Sequence, residues 1–517
     1  MPCISDERLP AMKLWLSIGG GLPQESLQSL ILSNEPDCAI TSSFKIASAA
    51  QTTIGLAGLS AAHFHELRTG IKQTVSINAR HAVLEFRSEA YYTLESQAPG
   101  ALWDTIAGLY RTRDNKFVRL HTNFPHHRLG ILSILGLPDS PETTRNQVQG
   151  ALMQWDAIEF EEKAAESGLC AFALRTFDEW DRHPQGLALR NEPPVTVIKI
   201  SDAPRREVSR PSSSYKHPLE NIKVLDLSRV LAGPVAGRTL AAHGADVLLV
   251  TSPKLPALPT LDVDTSRGKR TTQLDLNLAE DKQKLQELIF DADVFLQAYR
   301  PGALENKGFG TLDVVKMKDN RNHGIICANL CAWGWEGPWK NRRGFDSLVQ
   351  TATGFNAAES QAYAEFQGRL SSASGLEPKP FPVQALDHAA GYLMAYGINV
   401  ALCKTITEGG SWEVRVSLAA VAQWLRSLGR VPPEVGFGQA AKPMPSVSFP
   451  PDDEVRKLSS EWAQSYHSSN GTRMTALKHA AILSQTPVKD GNEATAPIVL
   501  NCSSPEWIIP SPQTELM

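Results

Sequence analysis

The distribution of apolar and polar positions between residues 221 and 250 predicts a strand, a helix and a second strand. A short apolar run is followed by Gly233, which gives the turn freedom in φ, and by Pro234, which stands where a helix tolerates a missing N–H. Gly244 occupies the usual position after a helix, and residues 246–250 form an apolar strand of the type buried on both faces. This stretch therefore predicts a βαβ unit whose turn is open to a nucleotide-type ligand.

Strands alternate with helices again downstream of this unit. A helix is expected at 279–290, and apolar strands are expected at 292–298 and 324–330. Such alternation predicts an α/β fold built on a Rossmann-like, doubly wound parallel sheet.

The region upstream, residues 101–200, is more polar and has a different pattern. Alternating positions around Asp114-Asn115 predict a hairpin, and helices are expected near 127–135 and across 145–166. A strand at 195–200 leaves the region. This combination predicts a smaller α+β domain.

Changes in composition divide the chain into five segments. Residues 202–217 are basic, rich in Pro and Ser and without periodicity, which is typical of a linker. The end of the chain has little pattern, and we expect it to be an extended or partly disordered covering segment. The predicted segments are an N-terminal extension (1–43, with one amphipathic helix at 25–32), an incomplete module with the small α+β domain (44–200), a linker (201–220), a Rossmann-like ligand-binding module (221–430) and an irregular C-terminal segment (431–517).

An internal repeat relates the two modules. Residues 73–88 align without a gap on residues 412–427, at a constant offset that also pairs Gly70 with Gly409. Carried into the preceding helices, the same offset places Ser48 opposite Asp387. The repeat predicts that one copy carries a carboxylate where the other has a hydroxyl. The alternative is a chance similarity between two amphipathic strand–helix units.

Composition and charge describe a globular protein of two or three domains. The chain has 517 residues, 42% hydrophobic and 21% charged, and its net charge of -4 gives no reason to expect nucleic-acid binding. Seven scattered cysteines indicate reduced thiols, and without a signal peptide or a long apolar run we expect a cytoplasmic protein with no membrane partner. No metal site is predicted, because neither Cys327 and Cys331 nor His121, His126 and His127 have the spacing of metal ligands.

Basic residues recur at the predicted strand ends of the second module. The carboxyl ends of strands in a doubly wound sheet surround one crevice, so these side chains are candidates for binding a polyanion. The turn after the first strand lacks GxGxxG, so a dinucleotide is not indicated. The alternative is that the cations are solvated surface charges. The candidates are Arg229, Arg267, Lys269, Arg270, Arg300, Arg342 and Arg343.

Asp387 begins an otherwise apolar helix followed by small residues. It could be an N-cap that stabilises the helix by about 1 kcal/mol. The functional alternative is a carboxylate nucleophile beside a helix N-terminus, whose dipole would keep it ionised. The sequence alone leaves both open.

Several motifs follow one another in order between residues 221 and 430. They read VLDLSRVLAGPVAGRTLAAHGADVLLV, RGKRTTQLDL, ADVFLQAYRPGALENKGFG, CAWGWEGPW with RGFDSLVQTATGF, and LDHAAGYLMAYG. In this order they resemble the family III CoA-transferases, which include formyl-CoA transferase, CaiB-type carnitine CoA-transferases and α-methylacyl-CoA racemase. Residues 44–200 resemble the later parts of a family member, including its small domain. The modules therefore stand in a rearranged order, as two incomplete copies that complement each other.

The resemblance implies transfer of coenzyme A from an acyl-CoA donor to a carboxylic acid through a covalent aspartyl-CoA intermediate. Asp387 matches the family's catalytic aspartate, and backbone N–H groups near Gly391 or in a facing glycine loop are implied as oxyanion donors. Acyl-CoA is implied as a substrate, with no tightly bound cofactor. Thr251 replaces the acidic residue that the family carries after the second strand. The residues implied to bind CoA are Arg229, Gly233, Lys269, Arg270, Arg300 and Arg343.

Two other functions remain open at this point. An acyl-CoA racemase of this family carries a His directly before the Asp in the segment that here reads Gly344-Phe345-Asp346, and Phe345 cannot move a proton. A non-catalytic CoA-binding protein is the other alternative. We expect one composite active site, with Ser48 in the copy that has lost its nucleophile, and an inactive but soluble fragment from residues 215–517. A homodimer and a monomer are both compatible with the two-copy sequence.

Overall fold

The computed structural model describes residues 6–18, 22–208, 215–318, 323–369, 377–464, 473–491, 493–497 and 499–508. The helices are α1 (Leu9–Ser17), α2 (Ile46–Thr69), α3 (Ala79–Glu85), α4 (Pro125–Ile134), α5 (Arg145–Leu152), α6 (Ala157–Glu166), α7 (Phe177–Arg182), α8 (Pro184–Leu189), α9 (Ala232–Ala242), α10 (Pro259–Thr265), α11 (Ala279–Asp291), α12 (Thr311–Lys316), α13 (Asp346–Ala352), α14 (Phe355–Phe366), α15 (Ala385–Thr407), α16 (Leu418–Ser427), α17 (Pro433–Gly436) and α18 (Asp453–Leu458). The strands are β1 (Leu30–Leu32), β2 (Val75–Ile77), β3 (Thr93–Leu94), β4 (Gly108–Arg111), β5 (Phe117–Leu120), β6 (Ala171–Ala173), β7 (Thr196–Ser201), β8 (Lys223–Leu227), β9 (Asp246–Thr251), β10 (Arg270–Gln273), β11 (Val294–Gln297), β12 (Ile326–Cys331), β13 (Ser411–Ser417), β14 (Ser459–Gln464), β15 (Met474–Leu477), β16 (Ala481–Leu483) and β17 (Thr495–Ala496).

The largest sheet has seven strands in the order β10-β9-β8-β11-β12-β13-β7. All neighbouring pairs are parallel except the β13–β7 pair at the edge. The first six strands therefore follow the 3-2-1-4-5-6 order of doubly wound sheets, which confirms the predicted α/β fold. In such a sheet the ligand crevice lies where the strand order reverses, which here is between β8 and β11.

The predicted βαβ unit is confirmed as β8, α9 and β9, but Gly233 has a different role from the one expected. The positive φ in this turn belongs to Val230, at 73°, a conformation that a β-branched residue rarely adopts. Gly233 is needed for space instead, because a Cβ there would lie 2.5 Å from the Cβ of Ser228 and 2.8 Å from that of Ala298. The turn is thus both strained and closely packed against the strand end beside it.

The small α+β domain is confirmed in the first module, but residues 101–200 contain more helices than the two predicted. Strands β4, β5 and β6 form an antiparallel sheet, and Asn115 adopts φ 58° in the predicted hairpin turn. The single helix expected across 145–166 is two helices, α5 and α6. Thr144 and Asp156 each start a capping box, so the second helix begins afresh at Ala157.

The N-terminal extension contains more structure than its pattern predicted. The helix expected at 25–32 is wrong, because a 3₁₀ helix at Gln24–Ser29 leads directly into strand β1. Parallel pairing of β1 with β2 overrides the local helical pattern. Helix α1, in a region read as irregular, packs Trp15 against Tyr396 of α15.

The internal repeat is confirmed by element boundaries and caps. Helices α2 and α15 have equivalent first residues, and both are followed by a glycine with positive φ, 77° at Gly70 and 69° at Gly409. Their C-terminal neighbours α3 and α16 start at equivalent positions, where Asn78 and Ser417 act as matching side-chain N-caps. The two long helices pack on each other, and Asn399 donates to the Oγ of its own equivalent, Ser60, at 3.3 Å. The two copies are thus related by an approximate two-fold axis inside one chain.

The predicted segment boundaries need two corrections. Strand β7 was assigned to the first module, but it pairs with β13 and closes the edge of the large sheet. The C-terminal segment is not merely irregular: β16 pairs with β2, and β14 and β15 form a sheet with β3 and β17. Of the predicted linker, residues 209–214 lie outside the described residues, whereas Arg206 is ion-paired with Asp293 of the second module.

Candidate active site

Asp387 is the third residue of α15, and the N-terminus of this helix is held by another carboxylate. Asp346, the first residue of α13, accepts hydrogen bonds from the backbone N–H groups of Leu386 at 2.7 Å and Asp387 at 2.9 Å. Gln350 donates to its second oxygen. The helix is therefore capped by Asp346, and the alternative that Asp387 serves as the N-cap is wrong.

The Asp387 carboxylate is buried among negative charges. Within the described ranges it has no hydrogen-bond partner, while Glu89 and Asp346 lie close enough to act on it electrostatically. Burial raises the pKa of Asp387 well above its usual range, and the Asp346 and Glu89 carboxylates raise it further. The dipole of α15 was expected to keep Asp387 ionised. This effect does not outweigh burial and the neighbouring carboxylates, because the N–H groups near Asp387 already donate to Asp346.

A cavity of about 410 Å³ opens on one side of Asp387. The first module contributes Glu89, Trp103 and His121 to its lining, and the second contributes Phe345 beside Asp387. Further apolar lining comes from Leu102, Val230, Leu231, Leu258, Leu261, Phe381, Val383 and, in the C-terminal segment, Val447. We call this space the acyl-side cavity; it is formed jointly by both modules.

A second cavity of about 350 Å³ opens on the other side of Asp387, at the switch point of the large sheet. Its cations are Arg229 after β8, Arg300 after β11, and Lys340, Arg342 and Arg343 before α13. Gly233 also lines it. We call this space the basic groove. The structure brings four of the predicted binding residues, Arg229, Gly233, Arg300 and Arg343, together with Asp387.

The cations of the basic groove are only partly neutralised. Arg343 donates to Nε2 of His127 at 2.9 Å, and burial lowers the pKa of His127 to about 3, so that this partner is uncharged. Arg300 is largely exposed, and its guanidinium has no hydrogen-bond or carboxylate partner in the described part of the chain. Partial burial in the groove and the neighbouring Arg343 lower the pKa of Arg300, so an anionic ligand there would relieve a repulsion.

The remaining predicted cations lie elsewhere. Lys269 is buried, with its Nζ 2.8 Å from both the Asp226 carboxylate and the Pro234 carbonyl oxygen. Arg270 forms a two-pronged ion pair with Asp246 on the neighbouring strand β9. The predictions that Lys269 and Arg270 bind the ligand are therefore wrong, because each side chain is paired with a carboxylate away from the groove. Arg267 is likewise buried against Asp264.

Gly391 does not provide oxyanion donors. It lies in the second turn of α15, where a Cβ would come within 2.6 Å of the Ala232 carbonyl oxygen. The glycine allows α15 to pack closely on α9, and it does not line either cavity.

Three side chains at the site were missed or not assigned a role from sequence. Asp346 was considered only as the neighbour of Phe345. Glu89 accepts from Nε2 of His388 at 3.1 Å, a contact between residues 299 positions apart. The imidazole of His121 stacks on Phe345 with ring centroids 3.9 Å apart. The repeat was the only signal that linked the modules, and it could not specify these contacts.

Neither a membrane-spanning helix nor a metal-binding cluster occurs in the described ranges. No helix there combines the length and apolar character required to cross a membrane. No three or more His, Cys, Asp and Glu side chains come together there in a way that could hold a metal ion.

Much of this chain is similar to known proteins of one family. The sequence model of CoA-transferase family III matches residues 219–434. An acetyl-coenzyme A transferase of Hypoxylon pulicicidum is 30% identical over 69% of this chain and 64% of its own length. An acyl-CoA transferase of Gibberella moniliformis is 30% identical over 60% of this chain and 55% of its own length. A crystal structure of a hypothetical protein from Mycobacterium tuberculosis is 32% identical, covering 41% of this chain and 57% of that one, with a TM-score of 0.34. The chain thus spans less than two thirds of the relatives it matches.

Proposed function

We propose that this chain, whose residues 219–434 match the sequence model of CoA-transferase family III, transfers coenzyme A from an acyl-CoA to a carboxylic acid. The observation that carries the proposal is the position of Asp387, a buried carboxylate between the basic groove and the acyl-side cavity. A carboxylate deprived of hydrogen bonds and solvent is a stronger nucleophile than one in water.

The proposed chemistry uses the two cavities on either side of Asp387. A carboxylate oxygen attacks the thioester carbon, the C–S bond breaks, and CoA leaves as a thiolate, which gives a mixed anhydride. The thiolate then attacks the aspartyl carbonyl carbon, releasing the donor as a carboxylate and leaving an aspartyl-CoA thioester. Attack by the acceptor carboxylate and return of the thiolate complete the exchange and restore Asp387.

The two cavities suggest where each part of acyl-CoA binds. Arg229, Arg300 and Arg343 would hold the phosphates of CoA in the basic groove, where their mutual repulsion favours an anion. The acyl group would enter the acyl-side cavity, whose Trp103 and Phe345 favour an apolar chain. CoA is thus a substrate in this proposal and no prosthetic group is required.

We also propose a reducing, cytosol-like compartment. The six cysteines in the described ranges are all free.

The experiment that tests the transferase function is adduct formation on Asp387. The protein is incubated with a panel of acyl-CoA thioesters and quenched with hydroxylamine, and the modified residue is located by mass spectrometry. We expect hydroxamate at Asp387 in the wild type and none in Asp387→Asn, which should still bind CoA. Ser48→Ala, at the equivalent position of α2, is the matched control and should keep full activity. An Asp387→Asn variant that still transfers CoA would refute the assignment.

A further inference from the structure

We infer that His121 donates a hydrogen bond to the thioester carbonyl oxygen when Asp387 attacks. The inference rests on the proposed function and adds a second side chain to the reacting centre, contributed by the other module. It assigns a role to an imidazole that the transferase chemistry described above does not use.

The position of the ring is fixed by aromatic neighbours. His121 follows strand β5, lines the acyl-side cavity with Asp387, and stacks on Phe345 with an interplanar angle of 9°. Trp103 meets the ring edge-on from the same module at 5.8 Å. Phe345 is joined directly to Asp346, whose carboxylate holds the backbone of Asp387. The imidazole and the nucleophile are therefore fixed relative to each other through two residues.

The ring is in a state suited to donate a hydrogen bond. It is only 4% exposed, and its Nδ1 has no hydrogen-bond partner among the described residues. Burial and the nearby Arg119 lower the pKa of His121 to about 3, so the imidazole is neutral, with one N–H and one bare nitrogen. We assign the N–H to Nε2, because Nδ1 is enclosed and has no acceptor among the described residues. A base this weak does not take a proton from the substrate at neutral pH, whereas a neutral imidazole can polarise a carbonyl.

The site needs such a donor because the backbone N–H groups at the start of α15 do not supply one. When Asp387 attacks, the electron pair of the C=O bond moves onto oxygen and creates a negative charge beside Asp346 and Glu89. The N–H groups of Leu386 and Asp387 are held by Asp346, and Gly391 lies outside both cavities. A neutral donor on the cavity wall stabilises the oxyanion without adding a competing cation that would pair with Asp387.

A pair of substitutions separates hydrogen bonding from packing. His121→Phe keeps a ring on Phe345 but has no donor, whereas His121→Gln keeps a donor but cannot stack. The rate of hydroxamate formation at Asp387 is measured at a saturating acyl-CoA concentration, together with the Kd of CoA. We expect His121→Phe to slow adduct formation by about 100- to 1,000-fold with an unchanged Kd. We expect His121→Gln to recover most of that loss.

The outcomes are distinguishable from failure of the proposed function. Wild-type protein that forms no adduct with any thioester overturns both the transferase and this role. Adduct formation in the wild type, with a His121→Phe rate within about threefold of it, overturns the role of His121 alone. Deuterium exchange at the α-carbon that His121→Phe abolishes would identify the imidazole as a base and would also overturn it. A loss in His121→Gln that His121→Phe does not share would indicate a packing role and overturn the inference. Equal losses in both variants would show that a donor at this position does not restore the rate, which also counts against it.

Discussion

Asp387 is a carboxylate whose surroundings disfavour its charge. The N–H groups of the helix that would stabilise an anion are given to Asp346, and Glu89 is held nearby by His388. Asp346 accepts three hydrogen bonds, which offset part of the effect of burial that raises its pKa to about 6, whereas Asp387 accepts none among the described residues. Of this pair, Asp387 is therefore the carboxyl that holds its proton more tightly. Ionising Asp387 to give the reactive carboxylate lowers the stability of the folded protein.

A pH dependence follows for both activity and stability. Only ionised Asp387 attacks, so adduct formation should rise with pH through a midpoint well above the usual pKa range of an aspartate. The folded pKa exceeds the unfolded one, so the folded state binds more protons between them and stability falls as pH rises. Asp387→Asn never ionises and should be more stable than wild type at high pH, by about 1.4 kcal/mol per unit of pKa difference.

This prediction is checked by urea unfolding of both proteins between about pH 5 and pH 8. The stability difference should grow with pH. A constant difference across that range would mean that the charge of Asp387 does not destabilise the fold. Ser48→Ala, which removes no charge, should follow wild type throughout.

The sequence identified the residues whose roles depend on local pattern. Asp387, Arg229, Arg300 and Arg343 stand at helix starts or strand ends, and the structure brings them together. Lys269 and Arg270 instead stand at the start of β10, not at a carboxyl end, and they pair with Asp226 and Asp246 of other strands. Glu89 and His121 reach the site only through packing of the modules, which no local pattern encodes.

At the scale of elements, α15 depends on a cap supplied by another helix. Asp346 fixes the first turn of α15 and also raises the pKa of Asp387, so it is a positioning residue with an electrostatic effect. Asp346→Asn retains an oxygen acceptor but removes the charge. We expect the pH midpoint of adduct formation to move to lower pH, because one of the carboxylates that disfavour ionised Asp387 is gone.

Ser417→Ala is the matched control for this substitution. Ser417 caps α16 through the N–H of Ala420 at 3.2 Å, away from both cavities. Its loss should cost about 1 kcal/mol in urea unfolding and leave the pH midpoint unchanged. If both variants moved the midpoint equally, the effect of Asp346 would be one of stability and not of charge.

The elements themselves were predictable where pattern and packing agree. Helices α2 and α15 are long, apolar and followed by glycine, and their bounds match the repeat. The pattern failed for β1, which is made a strand by its distant partner β2. For β7 it predicted the strand but not its place in the large sheet, which depends on pairing with β13. The C-terminal strands were missed for the same reason: β16 completes the first copy by pairing with β2.

At the scale of the whole molecule, three distant segments are joined by a buried ionic network. Arg238 of α9 is paired with Asp264 and bonded to Ser88 of the first module. Glu85, also of the first module, accepts from His479 of the C-terminal segment at 2.8 Å. Burial opposes ionisation of Glu85, but the hydrogen bond and charge of His479, with Arg238, hold its pKa well below the usual range. Removing any one segment would leave buried charges without partners, which is strongly destabilising.

This network changes what we expect of the fragment 215–517. The sequence suggested a soluble but inactive piece, yet α15 is buried along nearly its whole length, partly against α2 of the first module. Without α2 that apolar face would be exposed, and Asp264 and Arg238 would lose Ser88 and Glu85. We therefore expect the fragment expressed alone to aggregate.

Co-expression of residues 1–208 with 215–517 should restore a soluble complex that forms the Asp387 adduct. Each piece adds a strand to a sheet of the other. The first supplies β7 to the large sheet, and the second supplies β16, which pairs with β2. Such an interface is much larger than a docking surface and should survive the cut. The measurement is co-purification through a tag on one piece, followed by hydroxamate trapping. A 215–517 fragment that is soluble and labelled without its partner would show that the site is not composite, because Glu89 and His121 would then be dispensable.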